Sequence, residues 1–365
     1  MNLEERLRER IRREGPISFC EWMKAALYDE RDGYYCRRGR VRQGRQGDYR
    51  TAPEMSPLFG AAFANYFMKS YFDLGAPPRW TIVEIGGGAG DFAHDVLRSL
   101  QVNFPNVLDA TQYIIDEVSA DAQSQALSKL APFKDRLQFR ALNEFREPLP
   151  HALIFSNELF DAFPVHRVIG RNRGVKELRV ALNDAGNFAW MDGELQGPVA
   201  EYCDRIELQL AEGQVFEINL QVEEFLSLAA KSIREGLVIT ADYGAERDEL
   251  LSDPNRFGGT LRAFRKHQFV DDVLSHPGES DLTTTVDWTQ IIEAGQRHGL
   301  ETLRFQPLKE FLEGEGIWGE LMRAASLARD PVEQFKLNRY ALELLKPDGM
   351  AGAFQVLVQR KSKRN

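Results

Sequence analysis

Residues 81–97 read TIVEIGGGAGDFAHDVL: an apolar run ends on an acid, passes through five small residues and resumes at helical spacing. Glycine lets a backbone approach a ligand at little steric cost, and a helix starting just after such a loop offers unsatisfied N–H groups. The stretch therefore predicts a strand, a ligand-holding turn and a helix, the opening unit of a parallel α/β sheet.

The same rhythm continues outward from it. Short β-branched runs separated by helical stretches predict strands at 81–85, 112–116, 137–141, 151–156 and 237–242, with two more near 300–305 and 353–359 closing the sheet. Between the fourth and fifth strands, residues 166–196 alternate, with turn-like neighbourhoods at 172–174 and 184–186, which predicts an antiparallel insertion beside the sheet. A second insertion over 245–290 is rich in Gly, Pro and Asp; loops this long within a compact α/β domain are more often functional than accidental.

Upstream, the chain reads as helical. An amphipathic opening helix is followed by one that Ser18 caps, with Glu21 completing a capping box, and by a helix dense in Phe and Tyr that starts near Ser56. The expected organisation is a helical N-terminal cover over 1–78 and a doubly wound α/β domain over 79–365, with insertions at about 165–200 and 245–290. The aromatic segment AFANYFMKSYF is expected in the core; its alternative is a homodimer interface.

With 365 residues, 43% hydrophobic and 28% charged, the composition is that of a globular protein with a sizeable core. The 55 acidic and 46 basic residues leave a net charge of −9, which argues against a broad nucleic-acid footprint. One local exception, RRGRVRQGRQGDYR, carries Arg37, Arg38, Arg40, Arg42, Arg45 and Arg50 and reads as a solvated charged loop, or as one that meets an acidic partner. Cys20, Cys36 and Cys203 lack C-x-x-C spacing, so neither a disulfide framework nor a zinc site is expected, and a reducing compartment follows. No apolar run approaches membrane-spanning length and the opening residues are unlike a signal peptide; a cytoplasmic location is expected.

In open α/β sheets the ligand lies outside the carboxyl ends of the strands, where strand order reverses. Gly86, Gly88 and Gly90 give G-x-G-x-G, while Gly88, Gly90 and Ala93 give the G-x-G-x-x-A register allowed for dinucleotides, so two ligand classes compete. Glu84 favours S-adenosylmethionine, because a carboxylate at the strand end repels a pyrophosphate and complements an α-ammonium. Asp116 or Glu117, with Glu117 preferred, would project from the second strand toward ribose hydroxyls; the spacing from the glycine loop exceeds the roughly 20 residues of the dinucleotide pattern. After the fourth strand, Asn157, Glu158 and Asp161 cluster at the crevice where a transfer reaction would occur.

The blocks GDYRTAPEMSPLFG, VEIGGGAGDF, SNELFDAFPVHRV, ITADYG and GTLRAFRKHQFVDDVLSHPGESDLT, in that order and spacing, make the chain resemble the MidA-type methyltransferases, whose mitochondrial members are complex I assembly factors. The resemblance implies a class I Rossmann-like fold, S-adenosylmethionine as cofactor and methylation of an arginine in a protein. For mitochondrial members the substrate is a subunit of complex I, the NADH:quinone oxidoreductase, with symmetric dimethylation. By matching blocks, the donor site falls on Glu84, Gly86, Gly87, Gly88, Gly90 and Glu117, with Thr51, Pro53, Glu54 and Ser56 as a cover, and the transfer region on Asn157, Glu158 and Asp161. Many relatives carry Pro where this chain has Gly87, a change expected to loosen the loop without abolishing binding.

A guanidinium is permanently cationic and a poor nucleophile, so carboxylates are expected to orient it and ease its proton loss. Glu158 and Asp161 are assigned that role, with His267 as an auxiliary proton acceptor or a structural residue; His166 carries the same ambiguity, and no metal is expected. A small-molecule methyltransferase, a dinucleotide enzyme and a non-catalytic assembly factor that retains the donor pocket remain as alternatives.

Overall fold

The computed structural model describes residues 1–39, 51–346 and 350–363. The strand β1 (Trp80–Ile85) buries Trp80, Ile82, Val83 and Ile85, the near-continuous apolar reading of a strand covered on both faces. Around it lie β2 (Thr111–Asp116), β3 (Leu137–Phe139), β4 (Leu149–Asn157), β5 (Ile233–Ala245), β6 (Glu301–Pro307) and β7 (Phe354–Lys361), in the order β3-β2-β1-β4-β5-β7-β6. The first five are parallel, and β7 runs antiparallel to both β5 and β6. All seven stretches expected as strands are strands, and the α/β class holds. What periodicity did not disclose is that β7, the last in the chain, inserts between β5 and β6.

Strand order reverses between β1 and β4, and their register pairs Ile85 with Ser156. Whatever follows Ile85 therefore emerges beside whatever follows Ser156. On the other side of β4, Ala241 of β5 pairs with Asn157.

Two helices fasten the glycine loop. Ser56 caps α1 (Pro57–Asp73), its Oγ accepting from the Leu58 N–H at 3.2 Å, and α2 (Asp91–Asn103) leaves the loop. They approach closely at Gly60, where a Cβ would stand 2.6 Å from that of Asp95. Phe92 of α2 stacks on Phe155 of β4 with centroids 4.1 Å apart and planes 13° apart, and Phe63 of α1 packs on both. Phe63, Tyr66, Phe67 and Tyr71 are buried, so the aromatic segment is core except for Phe72 at its end, which is exposed.

The chain divides into two compact units. One comprises Arg50–Leu159, Phe225–Gly244 and Ile292–Asn365 and contains the aromatic core around this sheet. The other comprises Met1–Tyr49, Phe160–Glu224 and Ala245–Ile291, which joins the N-terminal helices to both insertions. Its helices Leu3–Glu14 and Phe19–Tyr28 each begin with a complete capping box, Asn2 with Glu5 and Ser18 with Glu21. Residues 166–193 form the antiparallel strands His166–Arg171, Gly174–Leu182 and Phe188–Gly193, joined by Ile17–Ser18 and Val215–Ile218. Phe19, Trp22, Met23 and Tyr34 fill the core of this unit. His166 is structural there: its Nδ1 lies 2.7 Å from Glu177, and although burial opposes its charge, Cys20 and Glu177 bring it up to about 9.

Candidate functional site

The backbone leaving β1 turns through Gly86, Gly88 and Gly90 at φ 71°, 52° and 80°. These left-handed values suit glycine, and Gly90 is also the N-cap of α2, where a Cβ would stand 3.0 Å from that of Ala126. Gly87 answers to a different constraint: a Cβ there would meet the Ile115 side chain of β2 at 2.6 Å. The loop is stitched to the tip of β2. The Gly86 N–H donates to the Asp116 carbonyl at 2.7 Å, and the Gly88 N–H to Glu117 Oε2 at 2.9 Å.

Of the two acids considered at that tip, Glu117 faces the loop. Asp116 turns away, its carboxylate accepting from the Leu142 N–H at 2.7 Å while burial pushes its carboxyl up. Glu117 Oε1 accepts from the Ser119 N–H at 2.7 Å.

Glu84 departs from the expectation of an ionised acid standing in the crevice. It is 4% exposed, and its Cδ would lie 3.3 Å from a Cβ at Gly87, so the carboxyl lies against the loop's own backbone. Burial pushes it up to about 8, with the nearby charges of Glu117 and Asp91 adding, while a 2.7 Å hydrogen bond from the Tyr113 hydroxyl pulls the other way. At neutral pH Glu84 is a protonated prop under the turn. Tyr113, which completes that prop, carried no signal in the sequence beyond its place in an apolar strand.

At the tip of β4, the Asn157 Nδ2 donates to Glu158 Oε1 at 3.1 Å, while the buried Asn157 Oδ1 has no hydrogen-bond partner among the described residues. Glu158 adopts φ 50°. Its N–H donates to the Ala241 carbonyl at 3.0 Å, and the next N–H, of Leu159, to Asp242 Oδ2 at 3.1 Å.

Asp161 belongs to the second unit described above, 4% exposed, with its carbonyl accepting from the Thr284 N–H at 2.9 Å. His267 is in that unit too, exposed, and with Lys266 forms the two-residue turn at φ 59° and 51° joining Arg262–Arg265 to Gln268–Phe269. Thr51 is the N-cap of the short helix Ala52–Met55 without a side-chain cap bond, and that helix packs on α2. Arg37 pairs with Glu279 at 2.8 Å and Arg38 is exposed, while Arg40, Arg42, Arg45 and Arg50 lie outside the described residues. Among the described residues no three His, Cys, Asp or Glu side chains form a metal-ligand set.

A glycine cradle closed by the Glu117 carboxylate, at the switch point of a sheet ordered 3-2-1-4-5-7-6, suits a phosphate-free nucleoside better than a diphosphate. The family model for S-adenosyl-L-methionine-dependent methyltransferases matches residues 62–306. The chain belongs to this methyltransferase family. Among its relatives, the mitochondrial protein arginine methyltransferase NDUFAF7 homolog of Drosophila melanogaster is 27% identical, over 96% of this chain and 83% of that protein. NDUFAF7 of Homo sapiens, also named a mitochondrial protein arginine methyltransferase, is 26% identical over 94% of this chain and 80% of its own length. A crystal structure of a COG1565 superfamily member from Burkholderia thailandensis, bound to S-adenosyl-homocysteine, superposes with a TM-score of 0.88 at 26% identity, covering 100% of this chain and 92% of that one. The cofactor of this methyltransferase is S-adenosylmethionine. No described helix is long and apolar enough to cross a membrane.

Proposed function

We propose that the chain methylates an arginine side chain of a protein, as the names of its relatives say of them, and that a complex I subunit, the target class the family resemblance implies, is the first substrate to test. The observation that carries this reading is the pair of acceptors at the tip of β4: the Glu158 carboxylate and the orphaned, buried Asn157 Oδ1, one strand away from the glycine loop. A guanidinium is a planar fork of five N–H donors with no acceptor, and acceptors are what the tip of β4 presents.

The donor, once bound, supplies an electrophilic methyl on a sulfonium. Gly86, Gly87, Gly88 and Gly90 supply backbone room for it, and Glu117, already anchored to Gly88, supplies acceptors for ribose hydroxyls. Glu158 holds the substrate guanidinium by charge-assisted bonds, and Asn157 accepts from a second N–H, so that one nitrogen is aimed along the methyl's line of approach. As the C–N bond forms and the methyl–sulfur bond breaks, its electron pair staying on sulfur to leave the neutral thioether, the substrate nitrogen loses a proton, which the Glu158 carboxylate accepts. Asn157 and Glu158 carry this role; Asp161 and His267 fall in the second compact unit and are given no part in it.

Glu158→Gln keeps the size and removes the charge. Calorimetry is expected to show S-adenosylhomocysteine affinity unchanged, while incorporation of labelled methyl into protein falls by roughly 10²-fold or more. Wild-type incorporation by the variant sinks the assignment. Donor binding with no methyl incorporation by wild type into complex I subunits or any other protein would favour a non-catalytic assembly factor.

A further inference from the structure

The turn that leaves β4 is tied to β5 through its backbone. Glu158 sits at φ 50°, a left-handed backbone seldom adopted by side chains other than Gly, Asn and Asp, and such a residue persists only where its surroundings over-determine it. Two backbone donors do so here, and both end on β5. The Glu158 N–H reaches the Ala241 carbonyl at 3.0 Å, a continuation of the parallel ladder that any residue at 241 could accept. The Leu159 N–H reaches Asp242 Oδ2 at 3.1 Å, and that bond requires a side-chain acceptor at 242.

Asp242 has no exposed surface, and its Oδ1 accepts from the Tyr243 N–H at 2.9 Å. Each carboxylate oxygen therefore meets a main-chain donor, which locks the rotamer. Burying a carboxylate is costly, and the residues flanking it in β5, Ala241 and Tyr243, give no packing need for one.

We propose that Asp242 is a positioning residue of the transfer site: it holds the Asn157–Glu158–Leu159 turn in its left-handed form and so sets where the Glu158 carboxylate and the Asn157 amide point. This rests on the reading of those two side chains as guanidinium acceptors. Asp242→Asn replaces one acceptor oxygen by an NH2 donor, so whichever way the amide turns, one of the two backbone N–H groups loses its partner. The turn then relaxes toward negative φ and carries Glu158 out of reach of Asn157.

The test combines a stability cycle with donor kinetics. Denaturant midpoints are measured for wild type, Asp242→Asn, Glu158→Gly and the double variant. Glycine adopts φ 50° without strain, so the midpoint drop caused by Asp242→Asn is expected to shrink to about half or less in the Glu158→Gly background. Equal drops in both backgrounds overturn the proposal. Labelled S-adenosylmethionine is then supplied with extract from cells lacking this protein: Asp242→Asn is expected to lower kcat about tenfold or more at unchanged donor KM. A wild-type kcat, or a loss confined to donor KM, overturns the positioning role, since a merely structural residue would move stability alone. Should wild type itself incorporate no methyl, the proposed function fails, and the hold on the turn is decided by the midpoints.

Discussion

At the residue scale, the acids of the donor site show how burial redistributes roles that sequence assigns by position. Glu84 and Glu117 both stand at strand ends, yet only Glu117 bonds the glycine loop as an acceptor at its surface, while Glu84 is enclosed with Tyr113. Below the ordinary value of 4.5 Glu84 is protonated in folded and unfolded chains alike; between 4.5 and about 8 only the unfolded chain ionises, so stability is lost as pH rises through that window. Glu84→Gln keeps an acceptor for the Tyr113 hydroxyl and removes the linkage. It is expected to match wild type near pH 4 and to exceed it at pH 8 by on the order of 2–4 kcal/mol, read from denaturant midpoints at both pH values. A constant difference across pH would show that Glu84 titrates normally. Gly87 was legible as a small residue in a loop; that its smallness answers to Ile115 across the sheet was not, because that neighbour is 28 residues away in sequence (115 − 87).

At the scale of elements, the glycine loop is held at both ends. One end is pinned at the tip of β2 by a backbone bond to Asp116 and a bond to the Glu117 carboxylate; the other is pinned to β4 through Phe92 on Phe155, a stacked pair worth about 0.5–1.5 kcal/mol beyond its area. Phe92→Ala is expected to destabilise by about 3–5 kcal/mol and also to weaken S-adenosylhomocysteine binding, since the N-terminus of α2 loses its seat on β4. Thermal unfolding and calorimetry on one preparation check both; lost stability with untouched affinity would separate the helix from the site. Helix starts were legible, since Ser18 with Glu21 and Ser56 are local signals that the structure uses as caps. The His267 turn was not: two-residue hairpin turns favour Asn-Gly, and Lys266-His267 gives no such warning.

At the scale of the whole molecule, S-adenosylhomocysteine at about a hundredfold its Kd is expected to raise stability by about 2.7 kcal/mol, and NAD to leave it unchanged, in a thermal-shift series with both ligands. A shift with NAD alone would return the chain to the dinucleotide alternative. The α/β class and the seven strands were readable along the chain, because each depends on patterns spanning a few residues: apolar runs of strand length, a glycine loop between strand and helix, capping pairs; the loop alone left two ligand classes open, and the family resemblance chose between them. Three things were decided only in the tertiary structure: the place of β7 between β5 and β6, the protonated Glu84 under the loop, and the grip of Asp242 on the turn after Asn157. Each depends on which distant segments become neighbours and on how completely they exclude water. A linear pattern carries the periodicity of one element, but the field and the hydrogen bonds at a site come from several at once.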